Sequence, residues 1–132
     1  MAGSAAARAI VLHQPFHPSI GVGLKALMFY FPVSFLLEEV AFRGVIDAHV
    51  HRPTAQRGLW SAVVVSMIWG LWHWPVVPHA ALPLWVTAIQ LIGVHTVIGV
   101  PLSIFWRRTG NLAVPAFTHA FIDGVRNALL HQ

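Results

Sequence analysis

Cysteine is absent from the 132 residues. That excludes a disulfide-stapled secreted scaffold and leaves the redox compartment unread. Charge is nearly absent too: 9% of residues are charged, against about 25% in a soluble domain. The acids are Glu38, Glu39, Asp47 and Asp123, beside 8 basic residues. So few charges cannot clothe a water-facing surface, which argues against a soluble enzyme. A disordered tail is excluded by the 57% hydrophobic content. The pI of 11.3 reflects scarce acids rather than abundant bases. Net charge is only +4, and the bases sit singly or in pairs, so no stripe exists to bind nucleic acid.

Long apolar runs are what the chain does have. From Gly58 to Trp106, 49 residues pass without one Asp, Glu, Lys or Arg, room for two spanning helices of about 20 residues each. Prolines 75, 78 and 83 mark the break. Spans are expected at about Leu59–Val77 and about Leu82–Phe105, with a turn around Pro78-His79-Ala80. The flanking spans are apolar only over Ala26–Leu37 and Gly110–Ile122. Extended through their charges, to about Gly21–Val50 and Leu112–Leu130, both are long enough to cross. The fold class is therefore all-α, a polytopic membrane bundle of about four transmembrane helices. Residues 1–19 read as a flexible or interfacial lead-in and residues 20–132 as the core, with no internal repeat. Arg52 and Arg57 in the first loop, and Arg107 and Arg108 in the third, place those loops in the cytoplasm and both termini outside.

Ionisable groups at this depth are costly, roughly 2.5–3.5 kcal/mol each on insertion scales. Glu39, Arg43 and Asp47 are spaced i, i+4, i+8, so on an α-helix Arg43 is held between two carboxylates. Glu38 points about 100° away and has no cation within a turn, so its partner comes from another helix. The candidates are His73, His95, and His119 with Asp123. At about 1.5 Å per residue, Glu38 lies roughly 15–18 Å deep, His73 roughly 20 Å and His119 roughly 10 Å, so the three can meet near mid-membrane. His13, His17, His79 and His131 read as solvated loop or terminal residues. His49 and His51 diverge from Asp47 on a helix, which argues against a metal site there. His95 reads as an interhelical hydrogen-bonding group.

Glu38-Glu39-Val40-Ala41-Phe42-Arg43 resembles the EExxxR motif of the CAAX protease and bacteriocin-processing (Abi) family of intramembrane proteases, the type II CAAX prenyl endopeptidase-like proteins. Trp69 to His73 resembles its FxxxH motif, with Trp in place of Phe. His119 to Asp123 resembles its third motif, a His followed four positions on by Asn or Asp. The three motifs fall in family order on successive membrane helices, over roughly Leu36–Asp123. The resemblance implies peptide-bond hydrolysis at the membrane, with Glu38 activating water and His73 orienting it. His119 and Asp123 would then stabilise the oxyanion, while Glu39 and Arg43 support the helix that presents Glu38. An ionised Asp123 would repel an oxyanion, so it is either protonated or orients His119.

No cofactor is expected on the first reading. A second adds zinc on Glu38, His73 and His119, an acceptable donor set with a position open for water. A third is non-catalytic: a proton or solute pathway, or an immunity-type partner. The expected partners are the lipid bilayer and a peptide or membrane-protein substrate, with no nucleic acid. Because family members generally carry further helices, a minimal member, a fragment and a protomer of a homo-oligomer all remain open. Plentiful Arg and Ala beside scarce Lys point to a bacterial plasma membrane.

Overall fold

A computed structural model describes residues 18–50, 58–77 and 83–130. The lead-in before residue 18, the first loop with Arg52 and Arg57, and the turn around Pro78-His79-Ala80 lie outside the described residues. Four helices follow one another, with no strand among the described residues. The first, α1, runs over Ile20–Val50. α2 is Leu59–Trp72, extended by a 3₁₀ turn at Trp74–Val76; α3 is Leu84–Thr109 and α4 is Ala113–Leu130. α1, α2 with its turn, and α3 are each long and apolar enough to cross a membrane. α4 carries Asp123 and Arg126 in its 18 residues and is not among those three. It lies along α1 instead.

Local chemistry sets the boundaries. Ser19 caps α1 by accepting the Val22 N–H at 3.3 Å. Its own N–H donates to the Ala128 carbonyl at 3.0 Å, which pins the start of α1 to the end of α4. α2 stops at Trp72, three residues before Pro75, which lacks the N–H to continue its ladder. α3 ends at Gly110, whose φ of 63° suits glycine and few others. Asn111 Oδ1 then accepts the Ala113 N–H at 2.9 Å and starts α4. This tight turn lays α4 back into the bundle and fixes the phase at which His119 enters it.

α1 is not uniform. Ser34–Asp47 winds as a π-helix between α-helical ends. Each bond there closes one residue later than in an α-helix, so the rotation per residue is smaller. The side chains of Glu38 and Glu39 are therefore separated by less than 100°. π segments of this kind concentrate at functional sites.

The interior is polar and the exterior apolar. Glu39, Arg43, Asp47, Ser66 and Ser103 are fully buried, around a small apolar cluster of Phe42, Val65, Trp69 and Leu102. Met28, Trp60 and Val97 stand more than 70% exposed. Such a surface requires lipid, and the chain is an integral membrane protein. Helices approach closely where glycine allows it. A Cβ on Gly70 would sit 2.9 Å from the Leu91 carbonyl, and one on Gly99 would sit 2.5 Å from Ser66 Oγ, so the α2–α3 seam tolerates only hydrogen at both positions.

Candidate active site

The π segment of α1 delivers Glu38 to a point where α2 and α4 also converge. Glu38 Oε2 accepts the indole N–H of Trp69 at 2.6 Å. It lies 3.7 Å from His73 Nε2 and 4.0 Å from His119 Nε2. Glu38 therefore does find its partners on other helices, and the nearest is an indole rather than a cation. The Glu38 and His73 side chains are 13% and 21% exposed, so neither is sealed inside the bundle.

Each imidazole is fixed through its other nitrogen. His73 Nδ1 lies 2.9 Å from the Trp69 carbonyl. A carbonyl only accepts, so Nδ1 carries a proton, and in the Nδ1–H tautomer of the ring Nε2 is the acceptor that faces Glu38. His119 Nδ1 lies 3.0 Å from Glu39 Oε1, and its Nε2 is 3.6 Å from Asp123 Oδ2. Asp123 Oδ1 in turn holds Arg126 Nη1 at 2.8 Å. All four candidate side chains, Glu38, His73, His119 and Asp123, thus belong to one connected cluster. Glu39, the proposed support, touches the cluster directly through His119.

Arg43 is fully buried. Its Nε lies 3.4 Å from Glu39 Oε2, Nη2 donates to the Gly99 carbonyl at 3.5 Å, and the guanidinium stands 4.5 Å over the Trp69 ring. One arm of the expected ladder is corrected here. Asp47 does not share Arg43; it pairs with Arg107, Oδ1 with Nη2 at 2.5 Å and Oδ2 with Nε at 2.9 Å. Asp47 ends the π segment where the last turn of α3 brings Arg107 within reach of both its oxygens. Arg107 is accordingly no free loop charge. It lies in the last turn of α3 and also donates to the Gly58 carbonyl at 3.1 Å and Ser61 Oγ at 2.7 Å, joining three helix ends.

His95 does not bond across helices as expected. Its Nδ1 is 2.7 Å from the Leu91 carbonyl of its own helix, while its ring centroid lies 4.2 Å from that of His73 and 4.7 Å from that of Trp69. A fourth helix thus lines the site. His95 enters the sequence reading only as a candidate partner of Glu38 and Trp69 only through its motif, whose usual residue has no N–H to give; neither is among the expected site residues. Exposed His49 bonds its own Val45 carbonyl, as a solvated histidine does. Among the described residues, no three His, Asp or Glu side chains form a metal-binding group.

Residues 21–125 match the family described as type II CAAX prenyl endopeptidase Rce1-like. YpbD, an uncharacterised protein of Bacillus subtilis (strain 168), is 34% identical over 88 residues, 67% of this chain and 36% of YpbD. The chain thus spans little more than a third of that relative's length. No solved structure matches.

Proposed function

We propose a reaction for this chain, which belongs to the type II CAAX prenyl endopeptidase Rce1-like family: hydrolysis of a peptide bond at membrane depth, with Glu38 as general base. The observation that carries it is a pair of facing acceptors. Glu38 Oε2 and His73 Nε2 stand 3.7 Å apart, and His73 Nδ1 is already committed as a donor. Two acceptors at that distance cannot bond each other, but a water that donates to both bridges them. Such a water has its lone pairs free for attack.

The steps balance within the chain's own groups. Water oxygen adds to the scissile carbonyl carbon while one of its protons passes to Glu38. The oxyanion takes a hydrogen bond from His119 Nε2. Because His119 Nδ1 already donates to Glu39, a ring that also donates at Nε2 carries both protons, with Glu39 and Asp123 flanking its charge. Glu38 then returns its proton to the amide nitrogen as the C–N bond breaks, leaving a carboxyl and an amine. The Asp123–Arg126 pair supports the orienting role for Asp123 over the protonated one. The substrate class is a membrane-delivered peptide or protein, and the location is a bacterial plasma membrane with the Arg52–Arg57 loop in the cytoplasm.

Zinc on Glu38, His73 and His119 is the second reading. It is favoured by the bonding of both rings to oxygen through Nδ1, as zinc-bound histidines are held. Against it, Glu38 Oε2 is engaged by Trp69, and these side chains do not form a metal-binding group.

The test uses purified protein in detergent and a fluorogenic peptide panel that includes a farnesylated C-terminal peptide. Glu38→Ala and His73→Ala are each expected to abolish cleavage with helical content and thermal stability retained. Wild-type turnover in either variant contradicts the assignment. A non-catalytic proton pathway would instead tolerate Glu38→Asp and cleave nothing.

A further inference from the structure

We infer that Trp69 is a positioning residue for the reaction, its indole N–H fixing the Glu38 carboxylate; this rests on the hydrolytic reading above. Trp69 is 1% exposed, so it meets no substrate and acts through Glu38. Its N–H gives the shortest polar contact Glu38 makes. One oxygen is thereby turned to face His73 and His119.

The ring itself cannot turn. Arg43 covers it at 4.5 Å, and His95 and His119 stand edge-on at 4.7 and 4.9 Å. His73, one helical turn on, meets it at 5.6 Å and bonds its backbone carbonyl. Indole N–H and carbonyl of a single residue thus set both halves of the water site. The N–H fixes the base, and the C=O fixes the tautomer of the imidazole that faces it. A carboxylate lacking this donor keeps its neighbours but has no fixed direction, and preorganisation of that kind is what a general base requires. The related motif carries Phe here, which fills the same space and donates nothing. In this chain a packing position has become a polar one.

Trp69→Phe is therefore the informative variant, since it keeps an aromatic ring between the four helices. Loss of one hydrogen bond to a charged group predicts kcat lowered about ten- to hundred-fold with KM unchanged, because no substrate contact is lost. A second readout does not depend on activity. In protein labelled at the indole nitrogens, the signal that vanishes in Trp69→Phe is expected downfield of the other indoles and is expected to move upfield in Glu38→Ala. Unchanged kcat in Trp69→Phe, or an indole signal indifferent to Glu38→Ala, overturns the inference. If the wild-type chain cleaves no peptide while the indole signal still responds, the hydrolytic reading falls with it, and the contact stands as a structural one.

Discussion

Arg107→Ala is expected to be the most damaging single change far from Glu38. Asp47 is 1% exposed at its side chain and has Arg107 as its ion-pair partner through two short bonds. Removing the guanidinium leaves a buried, unpaired carboxylate and frees the Gly58 carbonyl and Ser61 Oγ as well. Breaking one side of a buried pair costs about 3–5 kcal/mol, which is two to four decades in the folded-to-unfolded ratio. The reverse change, Asp47→Ala, is expected to cost less: Arg107 ends a helix and has the length to reach water once released. Replacing both, with Asp47→Leu and Arg107→Met together, is expected to recover most of the loss, because apolar groups of similar volume substitute well for a buried ion pair. Unfolding in mixed detergent–dodecyl sulfate micelles, followed by circular dichroism, gives the free energies, and the Asp47→Ala/Arg107→Ala double variant closes the cycle that yields the coupling. A coupling below about 0.5 kcal/mol, the range of independent sites, refutes the pairing. Strong coupling of Asp47 to Arg43 in its place would restore the expected ladder.

Arg43→Ala is expected to lower folded yield rather than act on the chemistry alone, since it removes the cation beside Glu39 Oε2 at zero exposure. A fully stable yet inactive Arg43→Ala protein, judged by size-exclusion recovery and turnover, would point to a direct role instead. Gly99→Ala is expected to lose about 1–3 kcal/mol by overpacking against Ser66. Gly93→Ala, where an added Cβ meets nothing within 4 Å, is expected to be neutral or to gain up to about 1 kcal/mol; equal effects in a thermal-shift assay would contradict the α2–α3 seam. Cleavage is expected to survive exhaustive chelation, with zinc well below one per chain by elemental analysis. Activity lost to chelator and restored by zinc would promote the second reading.

Much of the fold is written in hydropathy. The uncharged run from Gly58 to Trp106 and its prolines place α2 and α3 within a few residues. Only by extension through their own charges do α1 and α4 reach their observed lengths, because those charges face inward rather than end the helices. The candidate site was legible as three motifs whose depths allow them to meet. Its fine geometry was not. Spacing along α1 does not reveal that Asp47 has a closer cation on α3, and nothing in it announces the π winding. Arg107 counts as a loop charge by position yet folds inward, because a buried carboxylate attracts it more strongly than an interface rewards its exposure. His95 satisfies its own helix and contributes a ring face, which hydrogen-bond reasoning alone does not anticipate.

A direct distance measurement between labelled Glu carboxyl carbons and His ring nitrogens in lipid bilayers, by magic-angle-spinning NMR, tests most squarely whether one acid is enclosed by imidazoles from two other helices. With Nε2 of His73 and His119 at 3.7 and 4.0 Å from Glu38 Oε2, strong dephasing of the Glu38 carboxyl by both rings is expected, abolished ring by ring in His73→Ala and His119→Ala. A Glu38 signal that neither ring dephases would contradict the proposed water site and the hydrolysis built on it.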